Sequence, residues 1–266
     1  MTKRLPVEFL FQLFALLLGF ILIHGVYVTV IRPQADDFLA REQVKSAEDP
    51  GYEQQQNFYV ILRDYEQEAC LVLMFWALAI LGYKGIHTFC QQRLLDTDLL
   101  QLPAGMPIGL EDVRELVQRL DDLPDSRREQ LLPRALRSAI LRFGATRNIQ
   151  DAATALGSVC DAEGERMESE LSTIRYIAWA IPSVGFIGTV RGIGAALSQA
   201  HQAVAGDITG VTRSLGVAFN STFIALVISI VLMFFIHQLQ LMQERLVLDT
   251  EAYGDHHLIS RLRIHP

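Results

Sequence analysis

Four long apolar runs interrupt an otherwise polar chain, and each is long enough to cross a membrane as a helix. At a rise of 1.5 Å per residue, about 20 residues span a hydrocarbon core roughly 30 Å thick. Backbone amides in hydrocarbon must bond within their own segment, and no run alternates as barrel strands do, so helices are predicted. The chain divides into an N-terminal tail and first span (1–31), and further spans at 69–90, 176–198 and 214–237.

Basic residues indicate the direction of the spans. Lys3 and Arg4 precede the first span, and an Arg-rich stretch follows the second. Because basic loops stay on the cytoplasmic side, both termini are predicted to be cytoplasmic. An acidic segment at 32–68, whose pattern does not decide between helix and mobile loop, and a short turn at 199–213 are then external. A secretory signal is the rival interpretation of the first run, but no small-residue cleavage site follows it.

Residues 91–175 are predicted to form a helical cytoplasmic domain, and residues 238–266 a cytoplasmic tail. Prolines divide the domain into short pieces, and Ser126 with Glu129 forms a candidate capping box before an apolar run. Apolar residues recur there at helical spacing, at Val113, Leu116, Val117 and Leu120.

A longer helix is predicted at the end of this domain, because no proline occurs between Asn148 and Pro182. This helix would continue from the cytoplasm into the third span. It would either couple motion of the domain rigidly to the membrane helices or belong to a passive collar that holds subunits together, and the sequence favours neither.

Composition narrows the function classes. Half of the residues are apolar and a fifth are charged, so the two kinds are segregated as in polytopic membrane proteins. A net charge of −7 gives no support for nucleic-acid binding. The local signatures of nucleotide, zinc-protease and hydrolase sites are missing, and neither an enzyme, a cofactor nor a metal is predicted. His256 and His257 are interpreted as solvated, and Cys70, Cys90 and Cys160 as ordinary thiols.

No Asp or Glu lies inside the predicted spans, whose charges are Lys84 and Arg191. Lys84 lies near the end of its span and is predicted to extend to the lipid headgroups. Proton-carrying membrane proteins usually employ an intramembrane carboxylate. If this chain conducts protons, a partner helix threaded through a ring of these subunits must therefore supply one.

Polar residues gather in one layer of the last two spans. In an antiparallel hairpin of equal helical rise, residues whose numbers sum to about 411 lie at equal depth. Thr189 is then level with Thr222, and Arg191 with Asn220, while Ser221 is adjacent. Such a layer could exchange hydrogen bonds with a partner's carboxylate. The alternative is that the hydroxyls only bond back to their own helical turn.

Arg191 and a series of small residues complete the candidate site. Arg191 either reaches the outer surface or bonds Asn220 as a packing device, or it sets the electric field of an ion path. Pro182 is predicted to bend the third span at its inner end. Three glycines of the third span predict that helices approach closely, as a ring of subunits requires. They are Gly185, Gly188 and Gly192.

Residues 181–193, IPSVGFIGTVRGI, resemble the signature of the MotA/TolQ/ExbB proton-channel family. At this place the members of that family read roughly AP-x-x-GL-x-GTVWGI. Residues 218–222, AFNST, resemble the family's AL-x-AT, and the interval between the two threonines is the same. The likeness covers about the last ninety residues of the chain, whereas the first two spans agree in layout only. The chain departs from the family at two positions: it has Arg191 where the family often has Trp, and Val217 where TolQ and ExbB usually carry Glu. Its four predicted spans resemble MotA, whereas TolQ and ExbB have three.

The resemblance implies an all-α membrane protein that forms a homo-pentamer in the bacterial inner membrane. The ring would surround a dimer of single-span MotB/TolR/ExbD-like partners whose membrane Asp carries the ion. Thr189 and Thr222 would be pore-lining hydroxyls, and Pro182 the inner bend. The implied function is a proton-driven or sodium-driven stator channel in a flagellar, envelope-energising or defence system. A non-conducting scaffold is the alternative, and a solute transporter is disfavoured because duplicated halves are missing.

Overall fold

Helices account for nearly all of the secondary structure in the computed structural model, which describes residues 7–48, 57–100, 103 and 106–263. Lys3 and Arg4, on which the predicted orientation partly rests, and residues 49–56 of the acidic segment lie outside these residues. The helices are α1 (Val7–Val26), α2 (Arg32–Glu48), α3 (Phe58–Leu62), α4 (Tyr65–Leu95), α5 (Val113–Asp121), α6 (Asp125–Arg128), α7 (Leu131–Thr146), α8 (Ile149–Ser198), α9 (Ala200–Val204) and α10 (Thr209–His257).

Four helical stretches are long and apolar enough to cross a membrane, as the sequence predicts. The first runs continuously from α1 through a π-helical turn at Tyr27–Ile31 into α2, so the segment after the predicted first span continues as helix. The others are α4, α8 and α10, the last extended by a 3₁₀ turn. Large apolar side chains on these helices point outward, such as Phe14 (64% exposed) and Ile230 (70% exposed). Such surfaces require a hydrocarbon environment, and the protein is a polytopic all-α membrane protein.

The chain forms two compact units. The first comprises the described parts of residues 1–82 together with 173–236. Within it, Tyr27, Ile31 and Leu62 form a small buried cluster against Leu71 and Ile224. The predicted long helix is confirmed as α8, which begins at Ile149 and has residues in both units.

The second unit, 83–172 and the described part of 237–266, has its own apolar core. The helical spacing predicted around Val113 is confirmed in α5, which buries Leu116 and Leu120. A parallel bridge joins Ile108 to Leu262 by two backbone hydrogen bonds of 2.9 Å.

Two sequence predictions in this unit are wrong. Ser126 lies inside α6 rather than at an N-cap, and α7 begins after Gln130, which makes no side-chain cap bond. Pro124 explains the difference, since its fixed φ starts the short helix α6 one residue before the predicted cap. Lys84 does not extend to headgroups, because its side chain is 7% exposed and its ammonium lies 2.6 Å from the Glu170 carboxylate. A buried ammonium is stabilised best by an opposite charge within hydrogen-bond reach.

Candidate functional site

Helices α8 and α10 approach each other closely because glycines on α8 face small residues on α10. A Cβ atom added at any of three glycines would lie 2.4–2.7 Å from a Cβ of α10: Gly185 against Ala225, Gly188 against Ser221 and Gly192 against Ala218. The close helix approach predicted for these glycines is found within one chain, and their part in packing between ring subunits stays a prediction. Close approach of the two backbones brings short side chains within hydrogen-bond reach.

The hydroxyls of Thr189 and Thr222 are in direct contact across this interface. The depth relation predicted from the hairpin is therefore confirmed for this pair. The Thr189 hydroxyl also lies 3.1 Å from the carbonyl oxygen of Ala218, and that of Thr222 3.1 Å from the carbonyl oxygen of Gly185. Both side chains are half-buried.

Two orders of donation satisfy the pair. In one, Thr189 donates to Thr222 and Thr222 donates to the Gly185 carbonyl; in the other, Thr222 donates to Thr189 and Thr189 donates to the Ala218 carbonyl. A hydroxyl has one hydrogen and two acceptor lone pairs, so both orders are chemically complete. The pair can therefore reverse its direction of donation, and the accepting carbonyl then changes between Gly185 and Ala218.

Ser221 and Asn220 do not join this contact in the same way. Ser221 is fully buried, and its hydroxyl donates back to the Val217 carbonyl at 2.7 Å, as the alternative interpretation expects. Asn220 is half-buried and lines a cavity of about 470 Å³ in the first unit. Asp64 and Arg213 also line this cavity.

Arg191 is held by carboxylates from outside the hairpin. Its guanidinium lies 2.7 Å from Glu66 and 3.9 Å from Asp64. These acids, and not the predicted Asn220, are the partners of Arg191. A carboxylate compensates a guanidinium charge more fully than an amide does. Burial raises the pKa of Asp64, an effect that the nearby Arg191 and Arg63 oppose.

Helix α4 carries a second carboxylate, Glu68, in the same first turn as Glu66. Glu68 accepts a 2.6 Å hydrogen bond from His24 and contacts the Arg32 guanidinium. Hydropathy begins the second span at Ala69, which leaves both acids in the predicted acidic segment, whereas α4 begins at Tyr65. Their burial follows from paired charges, which hydropathy does not register.

Pro182 lies inside α8 and leaves the Ala178 carbonyl without its usual helical donor. The Ser229 hydroxyl of α10 donates to that carbonyl at 3.1 Å. Ser229 is not among the residues predicted from the sequence, although the depth relation that places Thr189 level with Thr222 also places Ser229 level with Pro182. The bend predicted at Pro182 stays a prediction.

Residues 127–252 match the model of the MotA/TolQ/ExbB proton channel family. The matched segment contains Pro182, the glycine contacts, both threonines and Arg191, whereas Glu66 and Asp64 lie outside it. No curated protein and no solved structure matches the chain significantly.

Proposed function

We propose that this chain, whose residues 127–252 match the model of the MotA/TolQ/ExbB proton channel family, is the ring-forming channel subunit of a proton-driven stator. In this role it couples the transmembrane gradient to motion of a single-span partner. The observation that carries the proposal is the contact between the Thr189 and Thr222 hydroxyls, whose donation can run in either direction.

A reversible hydroxyl pair suits a site where a carboxylate gains and loses a proton. A charged carboxylate accepts a hydrogen bond, whereas a protonated carboxyl also donates one. The threonine pair offers a donor in the first state when its terminal hydroxyl turns its hydrogen from the Gly185 or Ala218 carbonyl to the carboxylate, and it offers a lone pair as acceptor in the second. No large movement of α8 against α10 is needed, which the close glycine contacts would resist.

The proposal includes the assembly implied by the family resemblance. A homo-pentamer surrounds a dimer of MotB/TolR/ExbD-like partners, each with a membrane Asp, in the bacterial inner membrane. Both termini are cytoplasmic, and the second compact unit forms the cytoplasmic domain. Glu66 is already engaged by Arg191, and Glu68 by His24 and Arg32, so the mobile proton carrier is assigned to the partner.

Thr222→Val tests the function. The full-length chain is purified from membranes of its own organism with its bound proteins, and gradient-driven proton flux is measured in liposomes. We expect Thr222→Val to lower the flux at least about tenfold, as loss of a positioned proton-transfer group does. Pentamer assembly, measured by native mass spectrometry, should be unchanged.

Thr250→Val is the matched control. Thr250 is a fully buried threonine of the same helix whose hydroxyl bonds only back to Leu246 at 2.7 Å. It should leave the flux unchanged. Wild-type flux from Thr222→Val would refute the role given to the threonine pair, and absence of flux in the wild-type complex would favour the non-conducting scaffold. A robust current through the purified chain without a partner would refute the proposal that a partner supplies the carboxylate.

A further inference from the structure

Arg191 places a full positive charge two residues from Thr189 on the same helix. Half of its side chain (49%) is exposed, whereas the Glu66 side chain that pairs with it is 11% exposed. In a medium of low dielectric, a unit charge affects the energy of an ion over roughly 10 Å, regardless of which helix face carries it. An uncompensated Arg191 would therefore oppose cations at the threonine pair.

Glu66 is the carboxylate placed to cancel this charge. Its carboxylate lies 2.7 Å from the guanidinium, against 3.9 Å for Asp64. Glu68 is engaged elsewhere, with His24 and Arg32.

The packing around Gly188 leaves room for the pair. A Cβ at Gly188 would lie 3.2 Å from Cγ of Glu66 and 2.5 Å from Cβ of Ser221. Glu66 therefore reaches α8 directly beside the residue that precedes Thr189. The carboxylate comes from α4, outside the segment that matches the family model, while Arg191 lies inside it.

We propose that Glu66 is a specificity-determining residue, which neutralises Arg191 and so keeps the electric potential at the threonine layer favourable to cations. This inference rests on the proposed function for its consequence in ion flux, but the potential itself exists whether or not the chain conducts. The other charged groups near the pair are Asp64, Arg63 and Arg213, while Glu68 is paired with His24 and Arg32.

Charged thiol reagents test the potential directly. Asn220→Cys, in a chain whose native cysteines are replaced, places a thiol on the wall of the 470 Å³ cavity. Its reaction rates with an anionic and a cationic methanethiosulfonate are compared in the assembled full-length protein. Glu66→Gln should raise the ratio of anionic to cationic rate by at least about threefold, and Arg191→Gln should lower it.

Two further variants serve as matched controls. Arg191→Lys keeps the charge and should keep the wild-type ratio, and Glu66→Gln with Arg191→Gln should return the ratio to near its wild-type value. If the ratio of anionic to cationic reaction rate is the same in all variants as in the wild type, the proposal is overturned, even in a protein that does not conduct.

Proton flux supplies the second measurement. Glu66→Gln should lower the flux about tenfold, Arg191→Gln should not lower it, and the double variant should recover. A purely structural ion pair predicts that both single variants fail alike, and that result would also refute the inference. Absence of flux in the wild-type protein would count against the proposed function alone, because the reagent ratio is measured independently.

Discussion

Ser229 donates its hydroxyl hydrogen to the carbonyl oxygen of Ala178 across 3.1 Å, and this acceptor is the one that Pro182 leaves free. An unpaired carbonyl in hydrocarbon is costly, so a proline inside a membrane helix needs a substitute donor. The neighbouring helix α10 supplies it within the same hairpin that carries the threonine pair.

Ser229→Ala should destabilise the folded protein by about 1 kcal/mol, because the Ala178 carbonyl loses its donor. The free energy of unfolding in mixed detergent micelles measures the effect. In a Pro182→Ala background the new backbone N–H can donate to Ala178, so Ser229→Ala should then cost little. Ser183→Ala is the control, since the Ser183 hydroxyl bonds only back to Trp179 in its own helix. Equal costs in both backgrounds would contradict this account.

Gly185→Ala should destabilise the hairpin by about 1–3 kcal/mol, because the new Cβ would lie 2.4 Å from that of Ala225. Thermal unfolding of the purified protein measures the loss. Ala225→Gly should restore much of it. Gly194→Ala in the same helix is the matched control, since a Cβ there meets no atom within 4 Å. Comparable losses at both glycines would contradict the close contact between α8 and α10.

Thr189→Val and Thr222→Val should each lower proton flux, and the double variant should be no worse than the more severe single one. The two hydroxyls share one reversible chain of donation, and residues that act as a unit are not additive. Flux per assembled complex is the measurement, with Thr189→Ser expected to retain most of it. Multiplicative losses in the double variant would show that the hydroxyls act separately.

Asp64→Asn should change stability in a pH-dependent way. Because burial raises the pKa of Asp64 above the ordinary value of 3.8, the folded state disfavours the charged form. The stability contributed by its protonated carboxyl is present below 3.8 and is lost as pH rises through the raised pKa. The melting temperature of Asp64→Asn relative to that of the wild type should therefore increase as the pH rises from about 4 to about 7. A constant difference across this range would refute the raised pKa.

The depth relation between the last two spans was predictable because two helices of equal rise must keep the same register away from their turn. It placed Thr189 level with Thr222, as the direct contact confirms. The same relation put Arg191 level with Asn220 but did not identify its partner, because it describes depth and not direction around the helix. Glu66 comes from a helix far away in the sequence.

Apolar length and the positions of prolines determined four membrane-crossing helices and the long helix α8, since hydrocarbon thickness and the missing N–H of proline act locally. Only the tertiary structure decided which charges are buried. The pairs Glu66–Arg191, Glu68–His24 and Lys84–Glu170 join residues distant in the chain, and a buried charge is tolerated only where its partner is brought within reach.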